Sequence, residues 1–78
     1  MILDDFIKKF ALQYDDMPNF FNADTNFREV DGWSSLVALS LIAMVDEDYH
    51  VELTADDLGV CTTVKDIYNI VLKKVSIA

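Results

Sequence analysis

The sequence has few of the residues that cross-link or interrupt a chain. It contains one cysteine, one proline and two glycines among 78 residues. Because one cysteine cannot form an internal disulfide, the fold must depend on a packed core, and Cys61 is expected to be reduced. The sequence also has a single histidine to activate that thiol. We therefore interpret Cys61 as a small packed hydrophobic residue and not as a nucleophile.

Basic residues are also scarce. Six lysines and arginines stand against fourteen aspartates and glutamates, which gives a net charge of −8. Such a charge repels nucleic acid and anionic lipid and favours basic protein surfaces as partners. The longest apolar run, residues 36–45, is interrupted only by Ser40 and is too short to span a bilayer. Asp4 and Asp5 stand where a signal peptide would be basic, so a reducing cytoplasm is the expected setting.

The spacing of apolar residues predicts four helices and no strand. An amphipathic first helix stops before Pro18, and a second helix runs from about Ser35 to Tyr49. A short helix begins at Thr54, and a last one begins at Thr63, each with an aspartate three residues later. The sequence therefore predicts an all-α fold, a small antiparallel bundle of three long helices plus one short helix, as a single domain over residues 1–78.

A long loop over residues 15–34 joins the first and second helices, and loops of this length usually serve a function. The aromatic residues expected to anchor it are Phe20, Phe21, Phe27 and Trp33. Asn22, Asp24 and Asn26 alternate like the start of a calcium loop. However, Phe27 replaces the required glycine and Trp33 the required glutamate, so no metal site is predicted there. His50 lies among acids without spaced ligands and is interpreted as a solvated helix end.

The second helix is apolar on more than one face. The stripe predicted to face the core consists of Ala38, Leu41, Ile42, Val45 and Tyr49. The remaining apolar side chains are Leu36, Val37, Leu39, Ala43 and Met44. A domain of this size can hardly bury one helix all round, so part of this helix is expected to contact a partner or ligand.

Two serines stand at the start of the second helix. One of them suffices as an N-cap, because a single side-chain oxygen accepts a bond from a free backbone N–H. A second hydroxyl at the first helical position has no backbone role and lies at the positive end of the helix, where a phosphodiester would be stabilised. Capping alone and covalent phosphate attachment both remain open on spacing alone.

Around these serines the sequence resembles the acyl carrier proteins and related phosphopantetheine carriers. The family pattern F-x-E-x-x-G-x-D-S-L is matched at Phe27, Glu29, Gly32, Ser35 and Leu36. The predicted helix order and the long first loop resemble the family over essentially the whole chain. The family has an acid directly before the serine, where this chain has Ser34.

The resemblance implies a carrier that holds acyl or aminoacyl groups as thioesters and catalyses nothing itself. Ser35 would bear 4'-phosphopantetheine, flanked by Ser34 and Leu36, after loading from coenzyme A by a separate magnesium-dependent phosphopantetheinyl transferase. Partner enzymes of fatty acid or secondary metabolite biosynthesis would bind a monomer through the second helix. The residues implied for that contact are Val37, Leu39, Ser40, Ala43, Met44, Asp46 and Glu47. Those suggested to shelter an acyl chain are Leu41, Ile42, Val45, Leu58 and Ile67.

Two alternatives to the carrier remain. An unmodified helical interaction module, which binds a protein through the apolar second helix, would need Ser35 only to start that helix. A small enzyme is disfavoured because Ser35 and His50 lie at opposite ends of one predicted helix.

Overall fold

A computed structural model describes residues 2–77. It contains four helices: α1 Leu3–Ala11, α2 Ser35–Tyr49, α3 Ala55–Gly59 and α4 Val64–Ile77. Within this part of the chain the only β pairing is an isolated bridge between Asn26 and Thr63. The predicted all-α bundle, with its long loop between the first two helices, is therefore confirmed. None of the described helices is long and apolar enough to cross a membrane.

Helix α1 is amphipathic, and its charges suit the helix dipole. Asp4 and Asp5 lie in its first turn and Lys8 and Lys9 in its last turn. The helix ends at Ala11, well before the proline that was expected to stop it. Two tighter turns follow, in which the amides of Gln13 and Tyr14 donate to the carbonyls of Phe10 and Ala11.

The two later helices begin with reciprocal caps, as the Thr-x-x-Asp spacing predicts. The Thr54 hydroxyl accepts from the Asp57 amide at 3.1 Å, and the Asp57 carboxylate accepts from the Thr54 amide at 2.9 Å. At α4 the Asp66 carboxylate accepts from the amides of Thr62 and Thr63. These backbone bonds lower the pKa of Asp66, because they stabilise its charged form.

The core is aromatic on the side of α1 and aliphatic on the side of α4. Its fully buried large side chains are Phe6, Phe10, Phe27, Leu41, Leu53, Ile67, Val45, Val64 and Val71. Leu41, Val45 and Ile67, three of the residues suggested to shelter an acyl chain, have no exposed surface. They act in this structure as packed core residues.

The loop between α1 and α2 is fixed to the bundle at defined points. Phe27 is fully buried, and its carbonyl accepts from the Tyr14 hydroxyl at 2.7 Å. The first amides of α4 also bond to the loop: Val64 donates to the Thr25 carbonyl at 3.1 Å and Lys65 to the Ala23 carbonyl at 2.9 Å. The loop therefore satisfies helix-end donors that no side chain caps.

One of the four predicted anchors in this loop was wrong. Phe21 and Trp33 are partly buried against the core, but Phe20 is 90% exposed. Phe21 lies 5.2 Å from the Phe10 ring and 5.6 Å from the Tyr14 ring, measured between centroids. These contacts hold the Phe21 ring against the core, while the neighbouring Phe20 ring remains in solvent.

The inward face of α2 also differs from the expectation. Its buried residues are Val37, Leu41, Met44 and Val45. Val37 and Met44, expected on an outer face, are 4% and 8% exposed, whereas Ala38 and Ile42 are only partly buried. Both residue sets have helical spacing, and a helix with apolar residues all round gives periodicity no unique direction. The packing against the rest of the bundle decides which stripe is buried.

Candidate functional site

Ser34 caps α2. Its backbone is extended, with φ −158° and ψ 174°, and its hydroxyl oxygen accepts from the Val37 amide at 3.3 Å. Its carbonyl accepts from the Ala38 amide at 3.0 Å, which is the first hydrogen bond of the helix. Ser34 therefore takes the capping role that the sequence left open between the two serines.

Ser35 is left without such a role. It is the first residue of α2 and is exposed. Within residues 2–77 its hydroxyl makes no hydrogen bond, and the amides of Ser35 and Leu36 have no acceptor. The first turn also contains no acidic residue. An accessible hydroxyl at this position can be esterified by a phosphate group. The free amides and the positive end of the helix dipole would stabilise the negative charge of that group.

The segment before the serines has a fixed shape. Gly32 has φ +93°, a conformation that disfavours any side chain, although the nearest side-chain atom to an added Cβ, on Tyr14, would be 3.9 Å away. The Trp33 amide donates to the Val30 carbonyl at 3.1 Å and closes a turn. The Trp33 ring contacts the rings of Phe27 and Tyr14, at 5.1 and 6.2 Å between centroids. The start of α2 is thereby positioned against the core.

Burial also fixes the protonation of the tyrosine in this aromatic cluster. Tyr14 is 4% exposed and donates its hydroxyl proton to the Phe27 carbonyl. Desolvation raises the pKa of Tyr14 to about 12. The Tyr14 hydroxyl therefore stays a neutral donor even near pH 10, where an exposed tyrosine is half ionised.

The outward face of α2 is apolar near Ser35 and acidic at its far end. We call this face the α2 surface, and its exposed members are Leu36, Leu39, Ser40, Ala43, Asp46 and Glu47. Leu36 is 76% and Leu39 62% exposed. Two of the sequence-predicted contact residues are buried beneath this surface, Val37 and Met44. Met44 also lines a groove of about 370 Å³ between α2 and Gln13.

Residues considered for other chemistry have structural roles. Asn22 and Asn26 accept backbone amides through their side-chain oxygens, from Asp24 at 2.9 Å and from Arg28 at 3.1 Å. Within residues 2–77, no group of three or more histidine, cysteine or acidic side chains could hold a metal ion. His50 adopts the left-handed conformation that ends α2, with φ 58°.

Periodicity missed two features of the loop. The first is a pocket of about 550 Å³, here called the loop pocket, lined by Asp15, Asp16, Met17, Pro18, Asn19, Phe20, Val30, Asp31 and Gly32. The second is Arg28, whose guanidinium donates to the carbonyls of Leu58 and, at 2.6 Å, Cys61, at the end of α3. An aromatic residue close to a proline among aspartates could have indicated an exposed surface over residues 15–20, but not that residues 30–32 form a pocket with it. The sequence contains no comparable indication for the Arg28 contact.

A small helical bundle with an exposed serine hydroxyl at the start of its second helix fits a carrier-type domain. A family model described as "Phosphopantetheine attachment site" matches residues 11–71. The chain belongs to this phosphopantetheine-binding family, and the match supports a phosphopantetheine-carrying carrier protein. The resemblance to acyl carrier proteins and the expected 4'-phosphopantetheine group are thereby confirmed. Neither a search of curated proteins nor a search of solved structures gave a match.

Membership of the family also bears on activity and contacts. Carrier domains of this kind are generally non-catalytic, and they interact with a phosphopantetheinyl transferase and with biosynthetic enzymes.

Proposed function

We propose that Ser35 carries the 4'-phosphopantetheine arm and that the protein holds acyl or aminoacyl groups on it as thioesters. The observation that carries this proposal is that the two serines at the start of α2 have different roles. Ser34 caps the helix, and the exposed Ser35 hydroxyl is left free. Residues 1–78 would act as one carrier domain in fatty acid or secondary metabolite biosynthesis. A reducing cytoplasm suits the buried free thiol of Cys61.

Loading would make Ser35 the acceptor in a phosphoryl transfer. The Ser35 oxygen attacks the phosphorus next to pantetheine in coenzyme A and forms a phosphodiester, while the pyrophosphate P–O bond breaks and adenosine 3',5'-bisphosphate leaves. The Ser35 proton passes to a base of the transferase or to water. A separate magnesium-dependent transferase would catalyse this step. The free amides of Ser35 and Leu36 and the helix dipole would then stabilise the phosphodiester charge. When bound, the arm supplies a terminal thiol for thioester formation.

Partner enzymes would approach from the α2 surface. Leu36 and Leu39 offer exposed apolar contact beside Ser35, and Asp46 and Glu47 offer charge for a basic partner. Val37 and Met44 support these residues from beneath. A tether from Ser35 would raise the local concentration of the cargo at each docked enzyme.

A second candidate function is an unmodified interaction module. The observation that favours it is the same pair of exposed leucines on α2, together with the serine that replaces the usual acid before the attachment position. In that case Ser35 would only begin the helix, and the α2 surface would bind a protein permanently.

The intact mass separates these functions. The protein is incubated with coenzyme A, magnesium and a broad-specificity phosphopantetheinyl transferase, in parallel with Ser35→Ala and Ser34→Ala. We expect the mass of one phosphopantetheinyl group to be added to the wild type and to Ser34→Ala, and nothing to be added to Ser35→Ala. Ser34→Ala is the matched control, because it loses the cap, at a cost of about 1 kcal/mol, but keeps the acceptor.

Two results would count against the proposal. A gain of mass in Ser35→Ala would move the attachment to another residue. No gain in any of the three proteins would leave the interaction module as the better account, and its partner would then be sought through the α2 surface.

A further inference from the structure

The loop pocket lies close to the attachment serine. Gly32 lines the pocket and precedes Ser35 by three residues. Three peptide units span at most about 11 Å, so the Cα atoms of Gly32 and Ser35 are no farther apart than that. A protein that brings its active site to the Ser35 hydroxyl therefore also stands at the edge of this pocket.

Two large apolar side chains of the pocket are exposed to solvent. Phe20 is 90% and Met17 58% exposed, and both line it. Scattered exposed hydrophobics are ordinary, but a phenylalanine and a methionine on one concave surface are typical of an interaction site. Exposed aromatic residues often act as anchors in such sites, because they bury much area with few rotatable bonds.

The charge of the pocket has one sign. Asp15, Asp16 and Asp31 are all exposed on its wall, and no lysine or arginine lines it. The two ion pairs found within residues 2–77 are elsewhere, and neither includes these aspartates. Arg28 is near in sequence, but its guanidinium is bonded to the carbonyls at the end of α3. The negative charge therefore remains available to a basic partner.

The α2 surface offers no such charge near Ser35. The first acidic residue of α2 is Asp46, eleven residues after Ser35, which is about 16 Å along the helix axis. The acids closest to Ser35 in the chain are Asp31 and Glu29, both in the loop. A basic enzyme that must reach Ser35 thus finds carboxylates on the loop side and apolar side chains on the helix side.

We propose that the loop pocket is a docking surface for the phosphopantetheinyl transferase that loads Ser35. The occupant is a segment of that enzyme with an apolar side chain for Phe20 and Met17, flanked by lysine or arginine for the three aspartates. This inference rests on the proposed function of Ser35. In this proposal the aspartates of the loop pocket bind the transferase, a role that an acid directly before the serine would otherwise have.

Steady-state loading kinetics test the charge contribution. KM and kcat for the carrier are measured with the broad-specificity transferase, coenzyme A and magnesium. The pocket variant is Asp15→Asn/Asp16→Asn. Its control, Glu52→Gln/Asp56→Asn, removes the same charge from exposed residues that do not line the pocket. We expect KM to rise about fivefold in the pocket variant, less than about twofold in the control, and kcat to stay unchanged in both.

The apolar contact has its own variant. Phe20→Ala removes the exposed anchor without opening the core, and we expect about a tenfold rise in KM. Circular dichroism and urea unfolding of each variant establish that it is folded as the wild type is.

A third pair, Asp46→Asn/Glu47→Gln, removes two charges from the α2 surface. The KM of this pair tests whether the transferase docks on the α2 surface instead of the loop pocket.

Direct binding separates docking from attachment. In a Ser35→Ala background, the Kd for the transferase is measured with coenzyme A and magnesium present, since no loading can occur there. Weaker binding after the pocket substitutions supports the docking surface even if the wild type is not loaded at Ser35. Failure of loading at Ser35 with intact binding would overturn only the attachment.

Three outcomes would overturn the docking surface. These are equal KM values for the pocket variant and its control, a larger effect from the α2 pair than from the pocket pair, and no measurable binding of the transferase by the Ser35→Ala protein.

Discussion

The loop over residues 12–34 and helix α2 meet at the two serines, and the bundle holds them in place by different means. The loop has little regular structure, yet specific contacts fix it, among them the Tyr14 hydroxyl bond and the buried Phe27 ring. Helix α2 is regular and is placed by the burial of its apolar residues, which leaves two leucines outside. An irregular segment can therefore be as closely specified as a regular one, because its anchors contact particular side chains of the bundle, as Phe21 contacts Phe10 and Tyr14.

The largest difference in stability is expected between two phenylalanines of the loop. Phe27→Ala removes a fully buried ring and should lower the free energy of unfolding by about 3–5 kcal/mol. Phe20→Ala removes a ring that is 90% exposed and should change it by less than about 0.5 kcal/mol. Urea unfolding followed by circular dichroism measures both. Similar losses in the two variants would mean that the loop is anchored differently.

A second pair of substitutions tests which face of α2 is buried. Met44→Ala removes a side chain that is 8% exposed and should cost about 2–3 kcal/mol. Leu39→Ala, from a position 62% exposed on the same helix, should cost less than about 0.5 kcal/mol. The same urea titration applies. A larger loss at Leu39 than at Met44 would mean that the buried face of α2 is not the one that contains Met44.

The smallest effect lies outside both regions and concerns charge. Lys74 donates to the Asp57 carboxylate, and this bond lowers the pKa of Asp57 below its ordinary value. A lowered pKa stabilises the fold above the unfolded-state value, and this contribution is lost as the pH falls through the folded-state value. Asp57→Asn keeps an oxygen for the Thr54 amide but loses the ion pair.

The expected difference for that variant is therefore dependent on pH. At pH 7 the wild type should be more stable than Asp57→Asn by about 0.5–1 kcal/mol, and the difference should shrink as the pH falls below about 4. Thermal unfolding of both proteins across that range measures it. A difference that persists undiminished in acid would assign the loss to the cap and not to the ion pair.

Much of the fold could be predicted from residues that are close together in the sequence. The start of α2 and the Thr54 and Thr63 caps follow from serine, threonine and aspartate at fixed spacings, because capping is decided within one turn. The face of α2 could not be read in the same way. Val37 and Met44 are as apolar as their neighbours, so only contacts with distant segments select them for burial.

In the candidate site, too, features set by neighbouring residues could be predicted, and features that depend on distant residues could not. The position of Ser35 at the first turn of α2 was predictable, since Gly32 and the serine pair indicate where the helix begins. The loop pocket was not, because its walls come from residues 15–20 and 30–32, which only the folded loop brings together. Nor was the Arg28 contact, which reaches carbonyls 30 and 33 residues along the chain.

The bonds between the loop and α4 bear on how far the chain could be lengthened. Because Val64 and Lys65 donate to the carbonyls of Thr25 and Ala23, an extra residue between 23 and 25 would shift one carbonyl away from its amide. Residues 15–20 make no hydrogen bond to another described residue. The loop therefore consists of a part whose length can vary and a part whose length is set by the first turn of α4.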